Sequence, residues 1–480
     1  MQKSLKLKIS TSFKVFIFSV FLLLFHKSNA QDDYYVIIDS IVINGNHHTK
    51  NWVIENEIQL KYKEIYKKSE LNILAENSKN SLINTNLFLF AQIAYTEIKA
   101  KHIIVNVNVS ENWYLWPLPC FELSDRNFKQ WQNMNYDINR TNYGFYLFKY
   151  NIKGRNETLK IAFVNGYTEK YGIYYLIPYI NKSPKIGAEI SSTFKKNKEI
   201  WYLTKNNKLQ FYKNYDKPII QRWENNIAFI VRKNGFLADR WELEYNNIQI
   251  DEKLIKDSLN SNFLLVGKKQ NEIFIKYITL YEKRNNKNYP LTGFYLKNEI
   301  KLGTIKSDSS AEIISESIES AIYRKAARKL YISGFFKFKM SNQALPFIPY
   351  NNFKALGYTD YVRGYEQYVI DGHAMLLAKF NVKYALVNEY KLKIPFKLNK
   401  KYISLPFGTY LNLYADWGKT FNNQWQTSKD GLQNTLANKH LLGFGAGIDF
   451  LAMNDKILRI EYSINILDDK NLNLHFKKAF

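Results

Sequence analysis

The sequence predicts an all-β transmembrane barrel of sixteen antiparallel strands, preceded by one small α+β domain of order βααββ. Three observations carry this reading. Beyond the N-terminus no window holds the roughly 18 consecutive apolar residues that a membrane-crossing helix needs. From Tyr143 to Phe480, segments of about ten residues with alternating character follow one another, separated by polar stretches. Tyr (36), Phe (32) and Trp (9) together make up 16% of the chain, the load that a lipid-facing band flanked by aromatic girdles requires.

Composition removes other classes. With 46% hydrophobic and 23% charged residues among 480, the chain is neither disordered nor a helical multi-span protein. Gly (20) and Pro (10) exclude collagen-like or proline-rich architectures, and the single Cys120 excludes a disulfide scaffold or a multi-thiolate metal site. The net charge is +25, of which Lys3, Lys6, Lys8, Lys14 and Lys27 supply five, leaving +20 beyond residue 30. These lysines form no patterned block, so they read as a solvated surface or as contacts to lipid phosphates.

Residues 1–30 read as a signal peptide: a basic Met1–Lys14, an apolar Val15–Phe25 and the small-residue ending Ser28-Asn29-Ala30, with cleavage after Ala30. No Cys follows directly, so no lipid anchor is expected, and export from the cytoplasm excludes a nucleic-acid partner. Residues 34–112 form the small domain. Tyr35–Val42 is a strand ending in the turn Asn44-Gly45-Asn46, Thr49 caps a helix through Ile58, and Ser69 caps a second helix. Leu71, Leu74, Ala75, Ser78 and Leu82 give that helix one inward face. Two strands, Phe88–Ile98 and His102–Val109, close the unit. Residues 113–135, with Pro117-Leu118-Pro119, read as a linker, and 136–480 as the barrel. Its strand candidates begin near Tyr143, Thr158, Tyr171, Lys185, Glu199, Trp223, Trp241 and Ile273. The rest begin near Thr292, Glu312, Lys329, His373, Phe407, His440, Ile457 and Asn471.

Val362-Arg363-Gly364-Tyr365 stands in a long connection from about Ser341 to Asp371, and Tyr414-Ala415-Asp416-Trp417-Gly418 lies in the strand beginning near Phe407. If the loop folds into the barrel, the Arg363 guanidinium can take the inward-facing Asp416 carboxylate with two hydrogen bonds, and Gly364 allows close backbone approach. Other motifs point nowhere in particular. Gly443-Phe444-Gly445-Ala446-Gly447 alternates at strand spacing with no helix after it, so it thins one barrel face and does not cradle a phosphate. His47-His48 lacks acidic or thiol neighbours at ligand spacing, and Arg324, Lys325, Arg328 and Lys329 read as a basic surface cluster. No Gly-x-Ser-x-Gly or His-Glu-x-x-His occurs, so no enzyme is expected, and neither is a metal or cofactor.

Taken together, these motifs resemble the outer-membrane assembly and secretion superfamily of BamA/TamA-type proteins, also called bacterial surface antigens. Val362-Arg363-Gly364-Tyr365 is similar to the V/I-R-G-F/Y motif of that family's sixth outer loop. Asp416-Trp417-Gly418 is similar to the D-x-G motif of its thirteenth strand. Ile41-Val42-Ile43-Asn44-Gly45-Asn46 and Asn84–Phe90 resemble parts of a POTRA domain, and the terminal Phe480 resembles the family's insertion signal. There are departures: Leu356-Gly357-Tyr358 replaces a doubled Gly, Asn381-Val382-Lys383 stands where an acid is common, and a single POTRA domain is visible. The resemblance implies an outer-membrane barrel with its POTRA domain in the periplasm. It implies an assembly and insertion factor whose POTRA domain captures client strands and whose barrel opens between its first strand (around Tyr143–Ile152) and its last (Leu472–Phe480). Val362, Arg363, Gly364, Tyr365, Asp416 and Gly418 would lock loop to barrel. The partners implied are unfolded outer-membrane or secreted clients, the lipid bilayer with its lipopolysaccharide, and assembly-complex subunits. Alternatives are a secretion translocator for one dedicated partner protein and a passive outer-membrane channel or structural barrel.

Overall fold

Alternation at period two gives a strand one face for lipid and one for the interior, and in this chain sixteen such strands join in a single antiparallel sheet. The computed structural model describes residues 34–124, 131–132, 134–182, 185–214, 217–256, 262–342, 349–398, 401–422, 434–452 and 456–478. Residues 1–30, read above as a signal peptide, and Phe480 lie outside the described residues.

The N-terminal domain contains β1 (Tyr35–Asn44), α1 (Asn51–Glu57), β2 (Ile65–Lys67), α2 (Leu71–Asn84), β3 (Phe88–Lys99) and β4 (His102–Glu111). Its sheet runs β2-β1-β4-β3, with β1 and β4 parallel. Leu71, Ala75, Ser78 and Leu82 of α2 are buried as its period predicts, packed over Val36, Ile38 and Val105. Two expectations fail here. The short β2 stands between the helices, too brief to show as a pattern. Neither helix takes the expected side-chain cap: α1 follows Lys50 and α2 follows Glu70, each without a capping hydrogen bond. The Thr49 hydroxyl is engaged by Glu111 instead.

The barrel wall begins with β5 (Leu115–Leu123), β6 (Thr141–Ile152), β7 (Glu157–Gly166), β8 (Thr168–Ile177) and β9 (Ile186–Asn197). After the hairpin β10 (Glu199–Lys205) and β11 (Lys208–Lys213) it resumes with β12 (Ile220–Arg232), β13 (Leu237–Ile250) and β14 (Lys269–Glu282). It continues through β15 (Gly293–Lys306), β16 (Ser310–Ala327), β17 (Leu330–Ser341) and β18 (Ala374–Leu398). It ends with β19 (Lys401–Phe421), β20 (Leu441–Ala452), β21 (Lys456–Asn465) and β22 (Lys470–Lys478).

The expected count of sixteen holds, but through two compensating differences. The segment at Glu199 is not a wall strand; it turns at Asn206-Asn207, both at positive φ, and pairs only with β11 in a sheet of two. The wall gains β5, inside the span read as a linker. Proline normally argues against a strand, yet β5 is the end of the sheet, where a missing N–H costs no ladder bond. The first wall strand is therefore Leu115–Leu123, and Tyr143–Ile152 belongs to the second.

Trp223, Phe229, Trp241 and Leu413 are exposed on the outer face. The interior carries ion pairs such as Arg240–Glu189 (2.7 Å) and Lys337–Glu319 (2.7 Å). Among the described residues no helix is long and apolar enough to cross a membrane; the crossing elements are strands. The N-terminal domain sits on one rim. His48 Nε2 lies 2.8 Å from Asn151 O, Lys50 N donates to Gly154 O (3.0 Å), and Asn56 Nδ2 donates to Lys182 O (3.0 Å). The long β17–β18 connection leaves the opposite rim.

Candidate functional site

That connection folds back into the barrel. Val362 and Tyr365 are buried with Leu356, Ile370, Leu377 and Leu441, which anchors the loop by apolar contact before any charge is considered. Arg363 is thereby held against β19. Its Nε donates to Asp416 Oδ2 (2.8 Å), its Nη2 to Oδ1 (2.6 Å), and its backbone N to Oδ2 (3.1 Å). The guanidinium lies 3.6 Å over the Tyr414 ring, and Nη1 donates to Glu461 Oε1 of β21 (3.3 Å). Arg363 is 5% exposed and Asp416 1%, so the pair works out of water, where a planar two-bond contact is strong and a lone charge is costly.

The other motif residues make room for this contact. Gly364 has φ +94° and its carbonyl accepts from Asn465 (2.7 Å) and Asn471 (3.2 Å). A Cβ on Gly418 would meet Val362 at 2.5 Å, and one on Gly443 would meet the Arg363 carbonyl at 1.8 Å. The glycine run of β20 thus thins the wall where the loop lies against it. The structure brings Val362, Arg363, Gly364, Tyr365, Asp416 and Gly418 together; Phe480 lies outside the described residues.

Sequence reasoning missed a second cluster. The turn between β14 and β15 reaches inward from the domain-side rim, burying Tyr289 and Leu291 against Tyr331, Ala385, Tyr410 and Ile457. Tyr289 donates to Asp449 Oδ2 (2.7 Å), and Asp449 is held by Arg459 through two hydrogen bonds (2.7 and 3.0 Å). Lys383, in the Asn381-Val382-Lys383 stretch, lies 3.8 Å over the Tyr289 ring and 3.9 Å from Asp449. Glu461 links the clusters, since it faces both Arg363 and Arg459 (3.7 Å). The available signal was Arg459-Ile460-Glu461, opposite charges on one face of a strand.

The turn is also tied to the N-terminal domain. Asn84, at the end of α2, donates to Arg284 O (3.0 Å) and accepts from Lys287 N (2.8 Å). A second tie runs through Thr49 and His48, which Glu111 braces from within the same domain by accepting from Thr49 Oγ1 (2.5 Å), Thr49 N (2.7 Å) and His48 N (3.1 Å). Asn151 of β6 donates to the same Thr49 hydroxyl (2.8 Å). Burial works to raise the Glu111 carboxyl, but the donors from Thr49 and His48 hold it below the usual glutamate range. His48 thus serves this joint through its ring contact with Asn151.

The two ends of the wall meet without pairing. Lys456 Nζ lies 5.6 Å over the Trp116 ring, yet no ladder joins β5 to β22 among the described residues. Phe121 is 71% and Leu472 73% exposed beside this seam.

Comparison with known proteins agrees with the geometry. Residues 151–476 match the model of the Omp85 superfamily domain, and residues 36–112 match POTRA, the surface antigen variable number repeat. No curated protein sequence matches the chain. Among solved structures, the chain is similar to BamA from Haemophilus ducreyi lacking POTRA domains 1–3. The TM-score is 0.50 at 13% identity, over 92% of this chain and 83% of that one. It is similar to CdiB from Acinetobacter baumannii (TM-score 0.50, 11% identity, 93% and 74% covered). It is likewise similar to CdiB from Escherichia coli (TM-score 0.50, 11% identity, 96% and 93% covered). At such identities the likeness is one of fold. The family-model match, by contrast, covers well over half the chain, including every strand that holds Arg363, and the chain belongs to the Omp85 superfamily.

Proposed function

We propose that this protein inserts client proteins into the outer membrane, with the barrel in that membrane and the POTRA domain in the periplasm. The observation that carries this reading is the contrast between a filled interior and an unpaired seam. From one side the Arg363 loop occupies the interior, and from the other the Tyr289 turn does. The seam, meanwhile, leaves backbone groups of β5 and β22 without a ladder partner among the described residues. In lipid such groups need a strand to pair with, and an unfolded client supplies one.

A client captured along a sheet edge of the POTRA domain would be handed to the seam, pair strand by strand, and leave sideways. No covalent step is required. The Arg363–Asp416 contact keeps the loop, and through it β19–β22, in register while the seam opens. Lipopolysaccharide and inner-leaflet lipids would border the barrel, and assembly subunits would join at the POTRA domain. The CdiB likeness keeps secretion of one dedicated partner as the second reading. Depleting the protein and quantifying outer-membrane and secreted proteins separates the two. A broad fall in unrelated barrel proteins supports insertion. Loss of one secreted protein with the barrels unchanged supports secretion, and no change in either pool leaves a passive barrel.

A further inference from the structure

In an antiparallel wall every second connection lies on the same rim, so the β12–β13, β14–β15 and β16–β17 turns all stand on the rim that carries the POTRA domain. The first two meet that domain, through Arg232 with Glu57 (3.3 Å) and Arg284 O with Asn84 (3.0 Å). The β16–β17 turn has no such tie among the described residues. It is nevertheless held to the wall, because Ala385 N of β18 donates to Lys329 O (2.8 Å).

This bare turn is the basic cluster of the sequence. Arg324, Lys325, Arg328 and Lys329 are all exposed, and no acid occurs from Ser320 to Met340. The covered turns pair their cations with carboxylates, Arg232 with Glu57 and Arg284 with Glu282. Among the described residues no carboxylate pairs with any of these four.

The strand register shows what the cluster faces. On β16 the outward Ile314 and Ile322 are 52% and 42% exposed, while the inward Ile313 and Ala321 are buried. Arg324 follows Ile322 at period two, on the same outward face and about 6.8 Å nearer the rim. It stands opposite Ile332 in the ladder, and Tyr384 of β18, opposite Leu330, is exposed at the same rim. An apolar band that ends in a tyrosine and a long cation has the profile of a membrane–water boundary.

We propose that the β16–β17 turn binds the phosphate of an anionic phospholipid in the inner leaflet of the outer membrane. The Arg324 stem would lie along the acyl chains and its planar fork would take two phosphate oxygens. Lys325, Arg328 and Lys329 would add attraction for the net negative headgroup. A zwitterionic lipid offers the same phosphate, but these uncompensated cations repel its ammonium. A soluble acidic protein fits less well, since Arg324 shares the face that Ile322 gives to lipid. The turn lies six wall strands from β22 and nine from β5, so a lipid held here steadies the wall away from the seam. This inference rests on the periplasmic placement of the POTRA rim, and not on what the barrel does with its clients.

The test uses the full chain extracted in detergent, with gel mobility as the control for folding. Native mass spectrometry with added phosphatidylglycerol or phosphatidylcholine reads the affinity for the first lipid bound. Phosphatidylglycerol should bind more tightly, and Arg324→Gln with Arg328→Gln should weaken it about tenfold. The same loss of charge at Lys99 and Lys101, exposed on the POTRA domain, should leave it unchanged. Equal affinity for the two lipids, or equal loss in the two variants, overturns the site. In parallel, a photocrosslinking residue in place of the exposed Ala326 should label phospholipid in outer membranes. A crosslink to a periplasmic protein overturns lipid as the occupant. One to lipopolysaccharide overturns the placement of this rim at the inner leaflet, and the inference with it.

Discussion

At Arg363 two carboxylates and one guanidinium meet out of water, so removing one partner costs more than the contact contributes. Arg363→Ala takes the two-bond partner from the buried Asp416, leaving it only Lys379 at 3.8 Å, and leaves Glu461 to Arg459 at 3.7 Å, and should destabilise the folded barrel by about 3 kcal/mol in urea titrations followed by gel mobility. Asp416→Ala should cost a similar amount. The double variant should cost less than the sum, because it strands fewer charges. Arg363→Lys should rescue little, since an ammonium cannot span both Asp416 oxygens while stacking on Tyr414. Tyr289→Phe keeps the ring and loses one hydrogen bond to a carboxylate, about 1.5–3 kcal/mol by the same assay. Arg363 and Asp416 were legible because each sits in a compact motif. Glu461 was not, because a lone acid on an alternating strand looks like any lumen residue. Asn381-Val382-Lys383 read as a departure from the resemblance, and the place of Lys383 emerges only with Asp449 and Tyr289 beside it.

Among the elements, the β14–β15 turn and the POTRA joint make separate predictions. Tyr289→Ala should loosen the inward turn and raise single-channel conductance in planar bilayers above that of the unaltered protein; unchanged conductance would mean that the turn does not restrict the interior. At the joint, the Glu111 carboxyl is held below its unfolded value, so its stabilisation is fully present above the ordinary glutamate range. That stabilisation is lost as pH falls through the lowered folded value. A fluorescent label pair across the joint should report undocking only at acid pH, and Glu111→Gln should undock near neutrality. The wall strands were legible because their alternation satisfies lipid and lumen at once. Two elements misled for physical reasons. Pro117 and Pro119 look like a strand breaker until β5 is known to be the sheet's edge, and Glu199–Lys205 alternates as a wall strand does but pairs with its own hairpin.

Across the whole molecule, a filled interior, a POTRA domain clasped to one rim and a seam without a ladder among the described residues are the features on which the proposal of sideways release rests. These long-range relations were the least legible part, because Asn84 with Arg284 and Glu57 with Arg232 are joined only by folding. The most direct measurement is client insertion by a barrel whose seam can be reversibly tied. Phe121→Cys and Leu472→Cys, in a Cys120→Ala background, would be joined by a short reducible linker in reconstituted membranes. Insertion should stop when the linker is closed and return on reduction, with the barrel folded throughout. Insertion at an unchanged rate through a tied seam would contradict lateral templating.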